Sequence, residues 1–275
     1  MQIWNKIAKA IPIAALVLGM FGLGPKASAQ NLIDKIEQKG TLTVGISTFV
    51  PWAMRDKDGK LIGFEVDVAT QLAKDMGVKV RFVPTAWSGI IPALLAGKFD
   101  VIIAGMSITP QRNLTVNFTI PYAQSGQQIV ANSELASKFT KLSDFNASNV
   151  TMACRRATLS CPMAQKMFPK ATLRQFDNEA QAYQEVINGN AYGMIASAPT
   201  PRFWANDYPN KLFVPSFADN LSASDEAFAL RKGDADALNY FDNWIIYRTH
   251  DGWLKERHDF WFNSKAGWQN MMSTK

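Results

Sequence analysis

Residues 97–112 read GKFDVIIAGMSITPQR, and this stretch decides the fold. Four apolar residues at 101–104 form a short buried strand, and the chain leaves it through a loop that opens with Gly105. Glycine lets another molecule approach the backbone closely, and Ser107 adds a hydroxyl to the same loop. Thr109 followed by Pro110 has the form of a helix N-cap with proline in the first helical position, which places Arg112 in the first turn. A cation is disfavoured there because the helix dipole is positive at that end. An anionic ligand would justify it, since a planar guanidinium holds a carboxylate through two parallel hydrogen bonds. The competing reading is a surface arginine paired with a nearby acid.

Outward from this loop the chain alternates short strands and helices. A helix near 31–39 precedes a strand at 41–46, a helix at 65–76 precedes alternating Val78, Val80 and Phe82, and a helix at 90–96 precedes the strand at 101–104. A second series follows: strand 150–153, helix 161–167, strand 173–176, helix 179–187, strand 193–196. Such alternation predicts an α/β fold of mainly parallel sheets covered by helices. Two α/β units without a flexible linker predict two lobes sharing a cleft. Ligands of open α/β sheets bind where strands end and helices begin, so the informative loops follow Ile46, Phe82, Ala104, Ala153 and Ala196.

The first of these loops carries Ser47, Phe49, Pro51 and Trp52, and the second carries Trp87 and Ser88. Each aromatic could be core, yet together at matching strand ends they form a stacking wall for a small ligand. The loop after Ala153 reads CRRATLSC (154–161), where Thr158 or Ser160 can cap the next helix and present backbone N–H groups to an anion. Arg155 and Arg156 raise the positive potential there or are simply solvated. Cys154 and Cys161 are the only cysteines, and they are either a local disulfide or two small buried thiols.

Of 275 residues, 47% are apolar, which excludes disordered and collagen-like classes. Two His and two Cys are too few for the usual four-ligand structural zinc site, and no cofactor is expected. Residues 1–29 read as a cleaved secretory signal: Lys6 and Lys9 lead an apolar stretch, and Ala27-Ser28-Ala29 supplies the small-residue cleavage pattern. The stretch is too short and too rich in Gly and Pro for a spanning helix, which needs roughly 20 apolar residues. Setting Lys6, Lys9 and Lys26 aside lowers the formal charge from +6 to +3, which gives no case for nucleic acid. An exported chain meets an oxidising compartment, which favours the disulfide.

The order of motifs resembles the periplasmic solute-binding proteins of amino-acid ABC importers, the two-lobed type II fold of solute-binding family 3. It rests on TLTVGIS with PW (51–52), GFEVDVA (63–69), W-x-x-I-I-P-A-L (87–94), the 97–112 stretch, F-x-x-P-Y (118–122), GNAYGMI (189–195) and AFALRKGD (227–234). The resemblance implies an arginine clamp for the ligand α-carboxylate at Arg112. Gly105 and Ser107 would reach the same ligand, Phe49, Trp52 and Trp87 would form its wall, and Thr158 would contact the carboxylate from the second lobe. It also implies lobe 1 at 30–124 with 223–275, lobe 2 at 125–222, and hinge strands near 122–127 and 222–227. The expected partners are a small carboxylate ligand and an importer permease, with the protein a periplasmic monomer that is not inserted in the membrane.

The family's usual Gly-Thr-Thr or Gly-Ser-Thr reads Ala157-Thr158-Leu159 here, and two further departures matter more. Ser197 stands where the family carries the Asp that accepts the ligand ammonium, and Ser47 stands where binders of basic amino acids carry an acid. A hydroxyl cannot neutralise a buried ammonium, so Lys and Arg are poor ligands. Either Asp225 or Glu226 substitutes, or the ligand lacks an amine, and Arg112 with Arg155 favours a more negative ligand. The expected function is therefore a binding protein, not an enzyme. The alternative is a cyclohexadienyl dehydratase on the same fold, which needs a general acid in the cleft; none is evident in the second lobe. Glu65 and Asp67 read as acids serving a helix N-terminus.

Overall fold

Asn31 opens the first helix by accepting a hydrogen bond from the Asp34 N–H, and Gly40 closes it in the left-handed conformation that a residue without Cβ adopts freely. The computed structural model describes residues 31–263 and 268–271, so the 1–29 leader lies outside the described residues. In chain order, α1 (Leu32–Lys39) leads to β1 (Thr41–Ile46), the small ribbon β2 (Met54–Arg55) and β3 (Leu61–Ile62), and α2 (Phe64–Asp75). Then come β4 (Lys79–Pro84), α3 (Ile90–Leu95), β5 (Val101–Ser107), the single turn α4 (Pro110–Asn113) and β6 (Asn117–Phe118). The next stretch holds β7 (Ala123–Asn132), β8 (Thr151–Arg155), α5 (Ser160–Met167), β9 (Thr172–Phe176), α6 (Glu179–Ile187), β10 (Gly193–Ser197), α7 (Thr200–Asp207) and β11 (Leu212–Phe213). The chain returns through β12 (Ser222–Leu230) to α8 (Ala235–His250) and α9 (Trp253–His258).

The mainly parallel sheets of the two α/β units are joined through the two expected hinge strands, and together they make one ten-stranded mixed sheet. Its order is β4-β1-β5-β12-β7-β10-β8-β9, with β6 beside β12 and β11 beside β7. Both flanks are parallel, as the strand–helix alternation predicts. The join is antiparallel: β7 and β12 pair from Glu226↔Ala123 to Ser222↔Gln127. These paired halves read AQSGQ and SASDE, without the apolar alternation that marks a half-buried strand, because both strands pass between the two cores here.

The cores separate on either side of that join. One is built on Val44, Phe64, Leu72, Ile103, Phe228 and Trp244, and it takes in the C-terminal aromatics Trp253, Phe260, Trp261, Phe262 and Trp268. The other side packs Ile129, Phe145, Met152 and Ile195 on one sheet face and Tyr183, Val186 and Met194 on the opposite face. Glu65 lies in the first turn of α2 as expected, yet it is fully buried, with both carboxyl oxygens 2.6–2.7 Å from Tyr122 Oη. Asp67 accepts a hydrogen bond from Trp261 Nε1 at 2.7 Å and so anchors the C-terminal aromatics.

Cys154 and Cys161 form a disulfide, tying the end of β8 to the first turn of α5. A cross-link closing so short a loop stabilises by roughly 2 kcal/mol. Replacing both cysteines by serine is expected to lower the melting temperature by about 5 °C, measured by circular dichroism against the oxidised wild type. Reducing agent should lower the wild type by the same amount and leave the double variant unmoved.

Candidate functional site

The ends of β1, β5, β8, β9 and β10 converge on one cavity, and its walls come from both sides of the sheet join. Phe49, Trp87, Gly105, Ser107, Arg112, Arg155, Thr158 and Ser197 all line it. Trp52 does not. It is buried behind Phe49, stacked on that ring at 5.6 Å and set edge-on to Phe64 and Phe262. The loop folds back through paired hydrogen bonds between Phe49 and Ala53, which turns one aromatic to the cavity and the other to the core. Gly105 has φ +57, and a Cβ there would lie 2.9 Å from Phe49 Cζ, so only glycine allows the strand to pass this close.

Thr109 caps α4 as expected, its hydroxyl accepting the Arg112 N–H at 3.1 Å. Because α4 is a single turn, it has little macrodipole, and a cation in it is not electrostatically misplaced. The side chain itself is more informative. Arg112 Nη1 donates to the Ser107 carbonyl at 2.8 Å and Nη2 to the Ala157 carbonyl at 3.1 Å. These neutral acceptors hold the guanidinium at the cavity without neutralising it. Burial presses its pKa down while the charge of Glu226 pulls it up. Trp87 donates from Nε1 to the same Ala157 carbonyl at 3.0 Å and lays its ring near both Arg112 and Arg155, at 5.6 and 5.5 Å. Ala157 adopts φ 61, a left-handed conformation that disfavours any side chain.

Of the two adjacent arginines, Arg155 faces the cavity and is 6% exposed, whereas Arg156 is exposed and paired with Asp177. Arg155 Nη2 donates to Ser47 Oγ at 2.7 Å, and its Nε has no partner. Thr158 turns its hydroxyl inward to the Arg155 carbonyl at 2.6 Å and accepts weakly from the Ser160 N–H at 3.3 Å. Ser160 is the first helical residue and does not cap; it donates to Gln127 Oε1 at 2.7 Å, and Gln127 Nε2 donates to Ser197 Oγ at 3.1 Å. That chain leaves the Ser197 proton available to an acceptor in the cavity.

Neither acid proposed as a substitute for the missing Asp lines the cavity. Asp225 is exposed and accepts from Gln124. Glu226 is 1% exposed and receives the hydroxyls of Ser107, Ser125 and Ser224 on one oxygen. Burial raises its pKa against those three bonds and the pull of Arg112. The acid that does line the cavity is Glu179, the first residue of α6. Desolvation lifts its carboxyl to about 7, with the Arg155 charge pulling it down. The sequence reading does not reach it, because the strand end at Phe176 is not among the loops it singles out. The same rule of strand ends finds it, since β9 runs parallel to β8 with Arg155 beside Phe176. Gln127, Leu159 and Ser160 complete the lining. Among the described residues, no grouping of His, Cys, Asp and Glu could hold a metal, and no helix is long and apolar enough to cross a membrane.

A two-sided α/β cleft lined by guanidinium groups, a glycine loop and aromatic rings has the form of a binding site for a small solute. The chain belongs to the bacterial extracellular solute-binding proteins, family 3, whose pattern matches residues 42–264. It is 30% identical to the L-cystine-binding protein TcyJ of Escherichia coli over 91% of this chain and 92% of that one. It is also similar to a solved ancestral amino acid-binding protein, AncCDT-1, described as a precursor of cyclohexadienyl dehydratase: 38% identity, TM-score 0.78, 85% of this chain and 100% of that chain. A third likeness is to a putative ABC-transporter binding component of Wolinella succinogenes complexed with lysine, at 35% identity and TM-score 0.78, over 84% of this chain and 99% of that chain.

Proposed function

We propose that the chain captures a small carboxylate, an amino acid or amino-acid-like acid other than Lys and Arg, in the periplasm and delivers it to an ABC importer permease. Capture follows from closure of the 125–222 lobe on the lobe formed by 30–124 and 223–275, with bending at 122–127 and 222–227. Hinge closure of this kind buries a ligand between two rigid bodies. The observation that carries the reading is Arg112, a guanidinium at the cavity held by two backbone carbonyls and by no carboxylate. The exclusion of basic ligands rests on Ser47 and Arg155. Where a basic side chain would need an acid, the protein presents a hydroxyl already bonded to its own guanidinium.

One observation favours a second reading. Glu179 places a carboxyl that titrates near neutrality in the cleft, which is what a general acid for dehydration requires. Thermal-shift screening of ligand-stripped protein against amino acids, dicarboxylates and aromatic acids including prephenate separates the two. A ligand that binds the native state alone raises the melting temperature by mass action. The binding reading predicts stabilisation by at least one such acid and no loss of prephenate. Conversion of prephenate to phenylpyruvate, with release of water and carbon dioxide, would establish the enzyme instead.

A further inference from the structure

We infer that Arg155 selects ligands carrying a second acidic group, remote from the carboxylate held at Arg112. The inference rests on the solute-binding reading and names the substrate class of that site. A guanidinium removed from water needs a counter-charge, because an uncompensated buried cation is costly. Arg155 is 6% exposed, has one side-chain hydrogen bond, to a neutral hydroxyl, and keeps a buried Nε without an acceptor. The charge of Glu179 acts on it, yet the two do not close into an ion pair, and both line the cavity wall. A structural counter-ion would be expected to close that gap.

The two guanidiniums also answer to different ends of the cleft. Arg112 is tied to the Ser107 carbonyl and feels Glu226 of the return strand, whereas Arg155 is tied to Ser47 and feels Glu179. Arg155 and Glu179 also line a neighbouring cavity with Ser47, Pro84 and Asp177, which marks them as the outer end of the ligand space. Trp87 flanks both cations, so a short chain lying along its ring can present one acid to each. The occupant is therefore a short diacid, with or without an amine.

Calorimetric titration with matched pairs tests this: L-glutamate against L-glutamine, and glutarate against its half-amide. Each pair differs only in the second acid. A charge-assisted hydrogen bond to the second acid corresponds to a preference of roughly tenfold or more for the diacid. Arg155→Gln should erase that preference by weakening the diacid about tenfold more than the monoacid. Arg155→Lys, which keeps the charge, should retain part of the preference, and far-ultraviolet circular dichroism verifies folding of both variants. Equal binding of diacid and monoacid by the wild type would overturn the inference while leaving the solute-binding reading intact. So would equal weakening of both ligands in Arg155→Gln. If no amino acid or carboxylate binds at all, the broader reading fails with it.

Discussion

Arg112→Ala should cost the protein most of its carboxylate affinity. The guanidinium sits at the cavity with its two terminal nitrogens set by the Ser107 and Ala157 carbonyls, so it is oriented before any ligand arrives. Charge-assisted hydrogen bonds contribute about 1.5–3 kcal/mol each, and a carboxylate can take two. Loss of both weakens binding by roughly a hundredfold or more. The fold should tolerate the change, because the Ala157 carbonyl keeps Trp87 as a donor and Thr109 still caps the Arg112 backbone. Titration calorimetry of the folded variant measures the loss. An affinity within threefold of the wild type would remove Arg112 from the site.

Glu65→Gln is expected to flatten the dependence of stability on pH. Burial holds the Glu65 carboxyl at about 8, against an ordinary 4.5; Glu226 pushes in the same direction, and the Tyr122 and Gly105 bonds oppose it. The unfolded chain releases this proton near pH 4.5 while the folded chain keeps it to about 8, so stability is lost as pH rises between those values. At about 1.4 kcal/mol per unit, the loss is on the order of a few kcal/mol. Glutamine stays neutral across the range and can still bond Tyr122. The variant should match the wild type near pH 5 and melt several degrees higher near pH 8, as read by circular dichroism. Parallel melting curves across that range would show that Glu65 is not held protonated in the folded state.

The same carboxyl shows what the sequence leaves hidden. A run such as GFEVDVA marks a helix start, but whether Glu65 faces water depends on Tyr122, which lies 57 positions along the chain. The strands and helices flanking the cleft were legible because their apolar residues recur at strand and helix spacing. The joining strands were not legible from pattern, since AQSGQ and SASDE are polar where they cross between cores. Arg112 and Gly105 could be read from one loop. Trp52 could not be told from Phe49, because only the hydrogen-bonded fold-back of 49–53 decides which ring meets the cavity. Glu179 was within reach of the strand-end rule and needed only the loop after β9 to be included among the binding loops.

The most direct test is a crystal structure of ligand-stripped protein grown with the acid that raises its melting temperature most. The account predicts that acid between the two halves, with its carboxylate on Arg112 and in reach of Ser107 and the Gly105 backbone. An acid bound elsewhere, or facing Arg112 with a group other than its carboxylate, would contradict it.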